Sequence, residues 1–107
     1  MSEKTQLSII IVTHNSKDFL RNCLKSVFEK IKDLSFEVLV VDNASTDGTF
    51  EMLKNEFPQV KAIFSKENLG FAKANNLAIK EAKGKYIFLL NPDTILLDEN
   101  FEKLIIL

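Results

Sequence analysis

Three short apolar runs constrain this chain most: "LSIIIV" (7–12), "FEVLVV" (36–41) and "YIFLL" (86–90). Each is near-continuous instead of alternating. A strand with one wet face reads apolar-polar in turn, whereas a strand covered on both faces does not. The runs therefore predict buried strands of a parallel sheet, with Phe88, Leu89 and Leu90 inside. "VKAIFS" (60–65) is more mixed and is expected nearer an edge. Between the runs the period changes to that of helices. Residues 17–31 place Phe19, Leu20, Cys23, Leu24, Val27, Phe28 and Ile31 on one stripe, with Ser16 as N-cap and Asp18 in the first turn. A second helix is expected over 47–56, with Phe50, Leu53 and Phe57 inward and Pro58 barring its continuation. A third is expected over 71–82, with Gly84 as its stop. Strand and helix in strict alternation imply right-handed crossovers. The expected fold is α/β: an open, doubly wound, mostly parallel sheet with helices on both faces.

The 107 residues fit one domain, 1–107. A net charge of −1, from 14 basic and 15 acidic side chains, makes no case for nucleic acid or an anionic membrane as partner. The longest apolar runs are far too short to form a transmembrane segment. "MSEKTQ" at the start lacks the plan of a signal peptide, and Cys23 is the sole cysteine, so a reducing, cytoplasmic setting is expected. The final "DENFEKLIIL" opens like a helix at Asp98 and stops on Leu104, Ile105, Ile106 and Leu107. Such an apolar end calls for cover. It implies either the front part of a longer protein or a homodimer formed through that C-terminus.

The residues just after the strong runs carry the chemistry. "THN" (13–15), "DNASTDG" (42–48) and "NPD" (91–93) are polar clusters, and parallel strands bring all three to the carboxyl edge of the sheet. Open α/β sheets bind their ligands there. Each cluster also has a structural reading. Thr13, Asn15 and Ser16 suit a helix cap, Asp42 and Asp93 suit turns, "STDG" suits a helix start, and His14, the sole histidine, suits a solvated loop.

Several sharper motifs fail. "NASTDG" opens like a calcium loop, but its twelfth position is Lys54 and not a bidentate Glu. No G-x-x-x-x-G-K-[ST] or G-x-G-x-x-G occurs, the only glycines being 48, 70 and 84. A bound nucleotide would thus need another counter-charge for its diphosphate, such as a divalent metal held by carboxylate, with Asp93 best placed to hold it.

"LSIIIVTHNSKDFLRNCLKSV", "VLVVDNASTDGT", "NLGFAKANN" and "GKYIFLLNPDT" together resemble the amino-terminal half of a family-two glycosyltransferase, in order and spacing, over nearly the whole chain. The "NPD" form is most similar to the rhamnosyltransferase-like members. The resemblance implies a GT-A fold, a UDP- or dTDP-sugar donor, Mg²⁺ or Mn²⁺, inversion at the sugar, and a saccharide or lipid-linked acceptor in polysaccharide biosynthesis at the cytoplasmic face of the membrane. It implies nucleotide-sugar contacts at Thr13, His14, Asn15, Asp42, Asn43, Ser45, Asn68, Gly70, Asn91 and Asp93. Among these, Asp42 accepts from the base, His14 stands where a Tyr often meets it, and Asp93 binds the metal; Asp47 helps shape the loop. Two positions depart from the family pattern. Asn75 stands where many members carry Arg, and Asn91 replaces the first acid of an aspartate-rich "DxD". The general base of such enzymes is expected beyond Leu107, so 1–107 alone should transfer little. A non-catalytic nucleotide-binding or dimerisation module of the same fold is one alternative. A nucleotidyltransferase is another, against which stands the lack of a glycine-rich basic loop near the first strand.

Overall fold

The computed structural model describes residues 4–97. The expected helix start at Asp98 and the apolar residues 104–107 lie outside them. The order is β1 (Leu7–Thr13), α1 (Lys17–Lys30), β2 (Phe36–Asn43), α2 (Thr49–Glu56), β3 (Lys61–Ser65), α3 (Gly70–Ile79) and β4 (Tyr86–Leu90). The four strands form one sheet in the order β3-β2-β1-β4, every neighbouring pair parallel. The mixed run at 61–65 is indeed an edge strand.

Helices cover both faces. Leu7, Ile9, Ile11, Val38 and Val40 point to the α1 and α2 side, where they meet Leu20, Leu24, Val27, Leu53 and Phe57. Ile10, Leu39 and Val41 point to the other side and meet Ala74 and Ala78 of α3. Each fully buried Leu, Ile or Val contributes about 1.5–3 kcal/mol of transfer free energy. From β1 to β3 the chain steps one way across the sheet, then crosses back to place β4 on the far side of β1. That reversal lies at the carboxyl ends of β1 and β4, the place where such sheets open a crevice.

Four local expectations are corrected. In β4 only Leu90 is buried; Phe88 is half-buried, and Ile87 and Leu89 are 44% and 46% exposed. The reason is that α3 lies over β1 and β2, leaving that face of the edge strand open among the described residues. Phe19 is 64% exposed. It precedes Leu20 by one residue, a rotation of about 100° on a helix of 3.6 residues per turn, and so falls off the buried stripe. Ser16 stands at the N-cap of α1 as expected, but its side chain makes no cap bond, the hydroxyl donating instead to the His14 carbonyl at 3.1 Å. Gly84 does not stop α3, which ends at Ile79. It lies instead hard against Ser8 of the central strand.

Candidate functional site

Register and alternation build the centre of the site. Thr13 and Asp42 are partners at the last paired position of β1 and β2. Both continue the rows that face α1 and α2, and both are buried, at 1% and 0% exposure. Asp42 Oδ1 accepts from the Ser45 amide at 3.1 Å, closing a tight turn in which Ala44 takes a left-handed φ of 58°. Asp42 Oδ2 and Thr13 Oγ1 have no hydrogen-bond partner among the described residues. A buried polar atom without a partner costs about 1–3 kcal/mol, more when charged. Two of them at register-paired positions leave bonding capacity at this edge that the described residues do not use.

Around this pair the loops after β1 and β2 are stitched together. His14 Nδ1–H donates to the Asn43 carbonyl at 2.5 Å, and its Nε2 accepts from Asn15 Nδ2 at 3.3 Å. The Asn15 amide donates to Ser45 Oγ at 2.8 Å, and Asn15 Oδ1 accepts from the Thr46 amide at 2.7 Å. Asn15 has φ 48°, a left-handed conformation that asparagine tolerates better than most residues.

Asp47 then ties two helices at once. Its Oδ2 accepts from the Lys17 amide at the start of α1, at 3.1 Å. Its Oδ1 accepts from the Thr49 amide at 3.1 Å and from the Thr49 hydroxyl. Burial alone would raise its pKa, but the hydrogen bonds from Thr49 and Lys17 outweigh burial and hold the carboxyl below the usual range. Removing a helix cap typically costs about 0.5–2 kcal/mol. Asp47→Ala should therefore destabilise the protein by about 1–2 kcal/mol at pH 7 in a urea titration. A depressed folded-state pKa stabilises above the unfolded value, ~3.9, and the gain is lost as pH falls through the folded value. The difference between wild type and variant should accordingly shrink below about pH 4. A difference that persists unchanged at low pH would mean that the carboxylate's charge is not what holds the two helices.

A buried amide links this cluster to α3. Asn43, 2% exposed, accepts from the Leu69 amide through Oδ1 at 3.0 Å and donates from Nδ2 to the Gly70 carbonyl at 3.2 Å. Asn68 Oδ1 accepts from the Gly70 amide at 2.9 Å. Gly70 sits at φ 80°, which a side chain would strain.

Beyond β4, the Thr94 amide donates to the Asn91 carbonyl at 3.1 Å, closing a turn with Pro92 and the exposed Asp93 at its corners. This turn lies on the α1 side. The Cys23 thiol of α1 reaches the Asn91 carbonyl at 3.8 Å. Burial, and then the charge of Asp93, push that thiol up to about 11, so Cys23 stays an inert, protonated core residue.

Thr13, His14, Asn15, Asp42, Asn43 and Ser45 thus form one cluster, and Asn43 ties Asn68 and Gly70 to it. Asn91 and Asp93 share the carboxyl edge, but the bonds that hold their turn run to Thr94 and Cys23 and not to that cluster. The double cap by Asp47 was not foreseen in the sequence beyond a role in the loop. Nor was the register of β3, which sets Phe64 beside Asp42. No local pattern carries either, because both depend on which loops and strands meet in the folded chain.

Fold and geometry together define an α/β protein with a polar candidate site at the carboxyl edge of a doubly wound parallel sheet. The match is specific: residues 8–106 fit Glycosyl transferase family 2, and the chain belongs to that family. A glycosyltransferase of Bacillus subtilis, YfnE, is 39% identical over 90 residues, covering 82% of this chain and 23% of that protein. Among solved structures, S. aureus TarS 1–349 in complex with UDP superposes with a TM-score of 0.82 at 27% identity, covering 94% of this chain and 31% of that one. The mannosyltransferase PcManGT of Pyrobaculum calidifontis, in complex with GDP-Man and Mn²⁺, superposes with a TM-score of 0.77 at 25% identity, covering 92% and 30%. The sheet is that of the GT-A glycosyltransferases. The chain spans well under half the length of the curated relatives most like it, 23% of YfnE and 40% of the teichuronic acid biosynthesis glycosyltransferase TuaG of Bacillus subtilis among them.

Proposed function

We propose that this chain supplies the donor-binding half of an inverting glycosyltransferase, which moves a sugar from a nucleoside diphosphate to a saccharide or lipid-linked acceptor. The observation that carries this reading is the buried pair Asp42 Oδ2 and Thr13 Oγ1, both unpartnered at the carboxyl edge. The pair sets an acceptor beside a hydroxyl that can donate. That matches the imide N–H of uracil or thymine with its flanking carbonyl, so UDP- or dTDP-sugars are the proposed donors. It also disfavours a phosphate at this spot, since Asp42 would repel it. UDP in TarS supports the pyrimidine reading, while GDP-Man in PcManGT shows that the fold also serves a purine. His14, Asn15, Asn43, Ser45, Asn68 and Gly70 hold the pocket's walls, and Asn91 and Asp93 lie toward the diphosphate. Rhamnose as the sugar rests on the "NPD" form alone.

Mn²⁺ in PcManGT raises the question of a metal here. Among the described residues no group of three or more His, Cys, Asp or Glu side chains converges. The exposed Asp93 is proposed as one carboxylate ligand of Mg²⁺ or Mn²⁺, held otherwise by phosphates and water. Such an ion supplies positive charge that stabilises the leaving diphosphate. The residue that takes the acceptor's proton is proposed to lie outside the described residues. No described helix is long and apolar enough to cross a membrane; a cytoplasmic site of action, peripheral at the inner membrane face, is proposed from the lipid-linked acceptor.

Metal and nucleotide should strengthen each other's binding by one common factor, as linkage requires. The free protein should bind Mn²⁺ poorly. The test is calorimetric titration of UDP with and without Mn²⁺, on wild type and Asp93→Asn. The variant should lose most of the metal-dependent gain. If it keeps the full gain, Asp93 is a turn residue and holds no metal.

A further inference from the structure

The row that begins with Thr13 and Asp42 has a third member. β3 pairs with β2 so that Phe64 is the partner of Asp42. Register partners on neighbouring strands share a face, so Thr13, Asp42 and Phe64 stand in line on the α1 and α2 side, strands about 4.8 Å apart. The chemistry changes along the line: an unpartnered hydroxyl, an unpartnered carboxylate oxygen, then an aromatic ring. Phe64 is 45% exposed although it sits beside a carboxylate that is fully buried. No strand pairs beyond it among the described residues, since β3 ends the sheet. Its ring is steadied from one side by Phe50 of α2, with centroids 5.3 Å apart and planes tilted by 55°.

We propose that Phe64 is a recognition residue: its exposed ring forms the apolar side wall against which the donor's base packs while the base's polar edge bonds Asp42 and Thr13. This inference rests on the donor-binding reading above and extends it. A flat ligand with a hydrogen-bonding edge and an aromatic face uses all three members of the row. A sugar or a bare diphosphate uses at most the polar two. The wall also accounts for an aromatic residue at a solvent-facing edge position, where burial in the protein's own core recovers only part of its apolar area. Phe50 is the support and not a second contact, because its ring is already packed on Phe64 and beneath the Lys54 ammonium, 5.1 Å from its centroid.

Loss of one base–aromatic contact weakens binding by roughly five- to a hundredfold. The experiment compares UDP with inorganic pyrophosphate, both in Mn²⁺, on wild type, Phe64→Ala, Phe64→Leu, Phe64→Tyr and Asp42→Ala. Phe64→Ala should weaken UDP about tenfold and leave pyrophosphate unchanged. Phe64→Tyr should bind UDP like wild type, and Phe64→Leu should not. The hypochromic change in uracil absorbance on binding should vanish in the Ala and Leu variants only. Leu and Tyr keep the test sound should Ala disturb the pair with Phe50. Equal losses for UDP and pyrophosphate, or wild-type affinity in Phe64→Leu, would overturn the wall and leave Phe64 a packing residue. If Asp42→Ala loses UDP while Phe64→Ala does not, the wall fails and the donor reading stands. Wild-type protein that binds UDP no better than pyrophosphate sinks both.

Discussion

Gly84→Ala should cost the fold about 3 kcal/mol, the upper end of what overpacking usually exacts. A Cβ at that position would stand 2.5 Å from Ser8 N, 2.6 Å from Ser8 Oγ and 2.7 Å from the Leu7 carbonyl carbon. Two of those atoms are backbone of the central strand, which is held on both sides by β2 and β4 and cannot yield. The same contact carries a polar network. Ser8, fully buried, accepts from the Gly84 amide at 2.8 Å and donates to Glu37 Oε2 at 2.6 Å. Glu37 Oε2 also accepts from the Lys83 amide at 2.6 Å. Pushing residue 84 outward breaks the approach by which the chain leaves the α3 connection and enters β4, and Asn91 and Asp93 are placed by β4. At about 4–8 °C per kcal/mol for a domain of this size, the melting temperature should fall by about 10–25 °C. Urea unfolding followed by circular dichroism measures the loss. A loss below about 1 kcal/mol would show that the β4 connection shifts freely.

Asp42→Asn should make the protein more stable and a worse nucleotide binder. A buried carboxylate oxygen without a donor is a standing cost to the free protein. Asparagine keeps the Oδ1 that accepts the Ser45 amide and replaces the charged, unpartnered Oδ2 by a neutral amide, whose burial costs less. Relief of the orphaned charge should raise stability by about 1 kcal/mol, or about 4–8 °C. The same change opposes an N–H of the substituted side chain to the N–H of the base. A hydrogen bond to a charged group contributes about 1.5–3 kcal/mol, so UDP should bind about 10–100-fold more weakly. A variant less stable than wild type would mean that Asp42 serves the turn more than the ligand.

Much of this was legible in the sequence. The continuous apolar runs at 7–12 and 36–41 are buried central strands because helices cover both faces, and the mixed run at 60–65 is an edge because one side lacks a partner among the described residues. The polar clusters at the ends of β1 and β2 could be assigned to one sheet edge from strand direction alone. Other features depend on packing that no local pattern encodes. Leu89 looks like a core residue until α3 is seen to lie over β1 and β2 and not over β4. Gly84 looks like a helix stop, although its role is a close approach to Ser8, 76 residues away. Asp47 reads as an ordinary helix start, yet it also caps α1, 30 residues earlier. Asp42 and Phe64 become neighbours only through the β2–β3 register. In the candidate site the residue types were readable, and the missing partners of Thr13 and Asp42 were not, because an unsatisfied atom is a property of the assembled structure.

The most direct measurement is a set of four titrations, UDP, dTDP, ADP and GDP in Mn²⁺, on wild type and on Asp42→Asn. The buried acceptor beside a hydroxyl predicts that UDP and dTDP bind wild type at least about tenfold more tightly than ADP and GDP, and that the variant levels the four. Equal affinity of all four for the wild type, unchanged in the variant, would contradict base recognition at the carboxyl edge and leave Asp42 and Thr13 as a turn and a strand end.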